Sequence, residues 1–317
     1  MNGVQKTECD VCFRHCFLSE GQTGFCKARR CEHGDVVSSA YGRLTALALD
    51  PIEKKPLNHF YPGSMIVSAG SFGCNLACPF CQNHEISLSE YTVEAFCRRF
   101  HIPETEVLTG EPEGRSDDNT DRRSDDGFTR YYDPDELVRI CESYIPDGNI
   151  GIAFTYNEPT INYEYILDVA RLIRERDMKT VLVTNGSASP GVLEKLSPYI
   201  DAMNVDLKSF DETYYKNVLK GSLAAVKEFI REALTFSHVE VTTLIVPGEN
   251  DTEEEMRRIA SWLAVEGKKA GKDIPLHISR FFPRSRYSDR KPTEVRSVFR
   301  LSEIAREYLK YVHEGNV

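Results

Sequence analysis

Three cysteines within eight residues, Cys74-x3-Cys78-x2-Cys81, constrain this chain more than any other feature. They follow the apolar run Met65-Ile66-Val67-Ser68-Ala69 and share a short loop with Gly73, Asn75 and Pro79. A tight loop at the end of a strand can point three thiolates at one centre. A cubane iron–sulfur cluster has four irons, so three thiolates leave one iron open to a small chelating molecule. On spacing alone, a zinc knuckle or three unrelated thiols remain the alternatives.

The chain has 317 residues, room for one large α/β domain and a small appendage. Its net charge of −10 argues against a broad electrostatic grip on a nucleic-acid backbone. Met1 to Thr7 is polar and no apolar core follows, so no signal peptide is expected. No apolar run approaches the ~20 residues that span a bilayer. The expected location is cytoplasmic, with no membrane or nucleic-acid partner. Ten cysteines in such a chain indicate metal or redox chemistry rather than disulfides, and eight of them precede residue 82 in two groups. Cys97 and Cys141 stand apart and read as buried small hydrophobes.

Cys9-x2-Cys12-x3-Cys16 and then Cys26 make the first group, with Cys31 as a spare. Four thiolates at these spacings fit a closed tetrahedral Zn2+ site, which would fold a strip too short to bury its own core. A second cubane cluster is the alternative. Residues 1–62 are expected to form this cysteine-rich module and an extended segment, and residues 63–317 the main domain. Between Asp50 and Gly63, three prolines forbid a helix or a central strand. Lys54, Lys55 and His59 on that segment would meet an anionic substrate if it packed near the cluster. Residues 98–130 are polar, charged and aperiodic, and read as an insertion loop.

From Asp133 onward strands and helices alternate. Strands are expected at 150–154, 179–184, 202–207, 239–246 and 274–281, with helices between them and a closing helix from Glu294 to Val312. With the strand before Cys74 this makes six parallel strands, which right-handed crossovers curl into a partial (β/α)6 TIM-like barrel. Ligands on such a sheet sit at the C-terminal ends of its strands. Those ends carry the cysteine loop, Thr155-Tyr156-Asn157-Glu158-Pro159-Thr160, Thr184-Asn185-Gly186, Asp206-Leu207-Lys208, the run Val246 to Asp251, and Pro275-Leu276-His277-Ile278-Ser279-Arg280-Phe281.

The triplet, with Phe80 at the aromatic position, resembles the signature of radical S-adenosylmethionine (radical SAM) enzymes. Asp206-Leu207-Lys208 and the Val-Pro-Gly run resemble the pyruvate formate-lyase activating enzymes. The Cys-x2-Cys-x3-Cys start, the Asp50-to-Leu57 run, Thr155–Thr160 and Pro275-x-His277-x-x-Arg280-Phe281 are similar to AmmeMemoRadiSam-system radical SAM proteins. The likeness spans nearly the whole chain apart from 98–130.

The resemblance implies a [4Fe–4S] cluster on Cys74, Cys78 and Cys81, with S-adenosylmethionine chelating the fourth iron. Reductive cleavage there gives methionine and a 5′-deoxyadenosyl radical, which abstracts hydrogen from a substrate. It implies that Phe80 lies near the adenine and that Asn157 and Glu158 receive the methionyl ammonium. Lys208 and His277 would meet the carboxylate, Val246 would lie beside the adenosyl group, and Thr184, Asn185 and Asp206 would complete the cofactor site. Val183 replaces an aspartate that those activators use to hold a monovalent cation, so Asp206 serves the ammonium or a hydrogen-bond network instead. A low-potential electron donor of flavodoxin or ferredoxin type is implied, and a protein or peptide substrate of the glycyl-radical-enzyme kind. A small-molecule substrate is the alternative, and an iron–sulfur electron carrier or metal scaffold the reading from another class.

Overall fold

The computed structural model describes residues 6–87 and 129–317. The expected insertion loop lies outside them except for Thr129 and Arg130, as does Cys97. Two short hairpins come first: β1 (Lys6–Glu8) with β2 (Phe17–Ser19), and β3 (Arg29–Glu32) with β4 (Asp35–Ser38). β5 (Arg43–Leu44) pairs with β8 (Arg130–Tyr131), and β6 (Ala46–Pro51) leads into the main sheet.

That sheet has eight strands in the order β14-β13-β12-β11-β10-β9-β7-β6. The strands are β7 (Met65–Gly70), β9 (Asn149–Phe154), β10 (Lys179–Thr184), β11 (Ala202–Asp206), β12 (His238–Ile245), β13 (Leu276–Arg280) and β14 (Val312–Gly315). All neighbours are parallel except β6, which runs antiparallel to β7. The six expected parallel strands are all present, curled as a partial (β/α)6 barrel of the radical SAM type with one added strand at each edge. The closing helix is shorter than expected, Val295–Arg306, because the chain after it becomes β14. Pro51 ends an edge strand, where its missing N–H costs nothing. Since β6 belongs to this sheet, residues 46–51, expected in the N-terminal module, pair directly with the barrel.

The longer helices are α1 (Pro134–Ser143), α2 (Tyr163–Glu175), α3 (Pro190–Leu196), α4 (Leu223–Phe236), α5 (Glu253–Ala270) and α6 (Val295–Arg306). Asp133 caps α1 through the Asp135 amide with Pro134 in the first turn, while Glu136 turns to Arg130 instead of reaching back. Thr252 caps α5, three glutamates open it, and Gly271 closes it in the left-handed conformation. The outward side chains of the sheet, such as Val205, Val241 and Ile278, share one core with Phe229, Ile259, Leu263 and Leu301 of the helices.

The inner face is different. Segment 52–61 crosses it as a strap, burying Ile52 and Leu57 against Ile66, Ala153, Val181 and Ala202. Asn204 donates to Pro56 O (2.8 Å), and Glu240 accepts from the amides of Asn58 (3.0 Å) and His59 (2.7 Å). Lys54 and Lys55 both pair with Asp50, their ammonium groups reaching it at 3.1 and 2.9 Å, and Lys55 is buried while Lys54 is exposed. His59 Nε2 lies 2.9 Å from His313 Nε2.

Candidate active site at the strand ends

The loop after β7 carries Cys74, Cys78 and Cys81 into the interior, where burial raises all three thiols above their ordinary range. Several donors oppose that. The Leu76 amide reaches Cys74 Sγ at 3.4 Å, and Asn185 Nδ2 reaches it at 3.7 Å. The Asn83 amide and the Ser87 side chain favour ionised Cys81, and Lys208 favours ionised Cys78 and Cys81. Three thiols so supported are a donor set for a metal cluster, whose positive charge would complete their ionisation. Phe80 is buried beside them, its ring 6.1 Å from that of Tyr287.

Among the described residues, no three or more His, Cys, Asp or Glu side chains are gathered so as to hold a metal ion. A single zinc needs its sulfurs at about 2.3 Å from one point, whereas a cubane spreads its ligands over several irons. Cys9, Cys12 and Cys26, expected with Cys16 as ligands of a second metal, are buried, Cys16 is half-buried, and all four are free of disulfides.

Lys208 follows the end of β11. Its ammonium meets Asp206 Oδ2 at 2.7 Å, mostly out of solvent. Burial works against the charge, but Asp206 and the nearby Cys78 outweigh it and hold the ammonium above its usual range. Its backbone is held on both sides: the N–H donates to Tyr215 Oη (3.0 Å), and the carbonyl accepts from Asn250 Nδ2 (2.7 Å). Asn250 also donates to Leu244 O (2.8 Å) and accepts from the Val246 amide (2.7 Å), so one side chain ties the fourth strand end to the fifth. Tyr215 and Asn250 had no role in the sequence reading; an asparagine inside the Val246–Asp251 turn was the available signal.

Other expected contacts are engaged elsewhere. Glu158 is 1% exposed, and both its oxygens are taken. Oε1 accepts from the Thr160 amide (3.1 Å), Thr160 Oγ1 (2.5 Å) and Thr184 Oγ1 (2.7 Å), and Oε2 from the Asn185 amide (2.7 Å). Its carboxylate thus joins the second strand end to the third and is not held out to an ammonium. Asn157 braces the cysteine loop, donating to Phe72 O and Gly73 O (both 3.1 Å) and accepting from the Ser71 amide (3.1 Å). Asn185 reaches the loop as well, with Nδ2 at 2.8 Å from Asn75 Oδ1. His277 is likewise no free donor: its Nε2 lies 2.6 Å from Glu240 Oε2. It comes near the start of its strand, whereas Lys208 follows the end of its own.

The model of the Radical SAM superfamily matches residues 70–263, from the end of β7 into α5. A protein of Methanocaldococcus jannaschii described as uncharacterized is 36% identical over 98% of this chain and 82% of its own length. The isethionate sulfite-lyase activating enzyme of Oleidesulfovibrio alaskensis is 28% identical over 59% of this chain and 71% of its own. Among solved structures, Streptococcus suis SuiB superposes with a TM-score of 0.51 at 12% identity, over 78% of this chain and 47% of SuiB, which is a likeness of fold. The three-cysteine loop at the end of the first parallel strand and the five further strand ends around it have one common explanation: the chain belongs to the Radical SAM superfamily and is an enzyme.

Proposed function

We infer that this enzyme binds a [4Fe–4S] cluster through Cys74, Cys78 and Cys81 and S-adenosylmethionine beside it, and takes a hydrogen atom from a protein or peptide partner. The observation that carries the reading is the half-buried Lys208–Asp206 pair next to Cys78, at the strand ends that also hold the three thiols. When bound, the cluster and S-adenosylmethionine supply a 5′-deoxyadenosyl radical. The chain's residues do the rest. Lys208 offers a fixed positive charge away from water for the methionyl carboxylate, and Asp206 an oxygen for the ammonium. Phe80 and Tyr287 form an apolar wall suited to the adenine, with Val246 at the adjoining strand end. Asn157, Glu158, Thr184 and Asn185 fix the loop that carries the thiols.

The protein substrate is supported by the relative that activates isethionate sulfite-lyase. A flavodoxin or ferredoxin would supply the electron. The test is anaerobic reconstitution followed by dithionite and S-adenosylmethionine. Wild type should release 5′-deoxyadenosine and Cys78→Ala none; equal product from both, or none from wild type, overturns the reading. Deuterium transfer from a labelled candidate partner into 5′-deoxyadenosine would then identify the substrate.

A further inference from the structure

Arg14 reaches from the N-terminal module to the loop of Cys74. It follows Phe13, whose amide donates to Ser187 O at 3.4 Å, and the Ser189 amide donates to Val11 O at 2.9 Å, so this part of the module is stitched to the third strand end. His15, next in the chain, is left-handed (φ +44°) and pairs with Glu8 Oε1 at 2.9 Å. The turn that aims Arg14 is thus fixed on both sides. Its guanidinium carbon lies 3.4 Å from the centre of the Phe25 ring and 5.0 Å from that of Phe13. Nε donates to Asn75 O at 2.7 Å, and Nη2 donates to Lys220 O. Asn75 stands between Cys74 and Cys78. Lys220 closes the turn that follows Lys208, where Leu219 O accepts from the Ala77 amide at 2.9 Å. Gly221 comes next, and a Cβ there would lie 2.7 Å from Leu76 Cδ2, so the two segments touch. One side chain of the module clamps them together.

The clamp leaves a charge unanswered. Arg14 is half-buried, and among the described residues its hydrogen bonds end on carbonyls and not on a carboxylate. A guanidinium keeps its charge at every working pH, and withdrawing it from water is costly without an anion nearby. Arg14 lies within electrostatic reach of Cys74, and of Cys12, Cys16 and Cys26 in its own module. A cubane on three thiolates gains negative charge when it is reduced, and a fixed cation beside it stabilises that state. A positive charge held at this place therefore makes the electron easier to accept.

We propose that Arg14 is a positioning residue of the N-terminal module whose fixed charge raises the reduction potential of the cluster on Cys74, Cys78 and Cys81, bringing it within range of the low-potential donor. The donor, a flavodoxin or ferredoxin, gives up one electron to the cluster. No proton moves, and the clamp is the same before and after. The module thereby acts on the redox step whatever metal its own cysteines bind. The proposal rests on the cluster assigned above to the Cys74 loop.

The test is a redox titration of the anaerobically reconstituted full chain, followed by the electron-spin signal that S-adenosylmethionine perturbs. That signal belongs to the cluster with an open iron, whatever the module carries. Arg14→Gln keeps a hydrogen-bond donor for the loop and loses the charge. At the potential that half-reduces wild type, its ratio of reduced to oxidised cluster should fall about tenfold, a downward shift of about 59 mV for one electron. Arg14→Lys keeps the charge without the fork, and its ratio should stay within about twofold of wild type. Phe25→Leu leaves the charge and both carbonyls but removes the ring against the guanidinium. It should shift the potential the same way by less, and it decides the question if Arg14→Gln takes up no iron. A wild-type potential in the deciding variant overturns the proposal. So does a shift in Arg14→Lys as large as in Arg14→Gln, because hydrogen bonds rather than charge would then set the potential. Absence from wild type of any signal that S-adenosylmethionine perturbs overturns the cluster assignment, and this proposal with it.

Discussion

Glu158 carries more hydrogen bonds on one carboxylate than any contact to a ligand would leave free. Two hydroxyls and two amides converge on its oxygens in a site closed to water. Burial raises its carboxyl above the usual carboxylate range even so, because four neutral donors do not fully replace hydration. Glu158→Gln keeps the shape but turns an NH2 group toward the Asn185 amide or the threonine hydroxyls. Leaving those buried donors unsatisfied should cost about 2–4 kcal/mol, read as a lower urea midpoint at unchanged m. A variant as stable as wild type would mean that the carboxylate is not the tie between these loops. Tyr215→Phe asks a narrower question. It removes only the acceptor for the Lys208 amide, so stability should fall by about 1 kcal/mol while S-adenosylmethionine affinity drops several-fold. Lost stability with unchanged affinity would show that Lys208 needs no such support.

At the scale of elements, β9 and β10 depend on a residue with no side chain. Gly151 has φ +154°, and a Cβ there would lie 1.9 Å from Lys179 O on the neighbouring strand. Gly151→Ala must push the two strands apart, and at least about 3 kcal/mol should be lost. A well-folded variant within 1 kcal/mol of wild type, by the same urea titration, would rule out so tight an approach. The alternation of strands and helices was legible because buried parallel strands read as continuous apolar runs, as in Thr180-Val181-Leu182-Val183, and because caps such as Thr252 and Asp133 mark helix starts. β14 was not legible. Val312-His313-Glu314-Gly315 is short and polar, and it becomes a strand only because β13 offers it an edge. The cysteine loop was legible because its chemistry is local. The partners of Glu158 and His277 were not, since Thr184, Asn185 and Glu240 approach only once the sheet has curled.

Across the whole molecule, the strap 52–61 and the far edge of the sheet meet in one group of polar side chains around Glu240. Glu240 of β12 lies fully buried beneath the strap and is held down to about 2: burial works against its charge, but His238, His277 and the His59 amide prevail. It stays ionised wherever the folded enzyme would be handled. His313 of β14 faces His59 of the strap, His277 of β13 and Glu240. Burial lowers its pKa first, and His277 and His59 lower it further. A histidine lowered in the folded state binds fewer protons there than in the opened chain, so its contribution is complete above the ordinary value of about 6.5 and is lost as pH falls below it. Protection of the amides in 55–61 against hydrogen exchange, corrected for the intrinsic rate, should therefore fall as the anaerobic protein is taken from pH 7.5 to 5.5. His313→Gln should flatten that dependence, since glutamine can still meet His59 but takes up no proton. Glu240→Gln should instead weaken protection at every pH, because it strips the charge that holds two amides of the strap. If His313→Gln keeps the wild-type slope, the histidine contact does not govern the strap, and the junction between the two sheet edges rests on Glu240 alone.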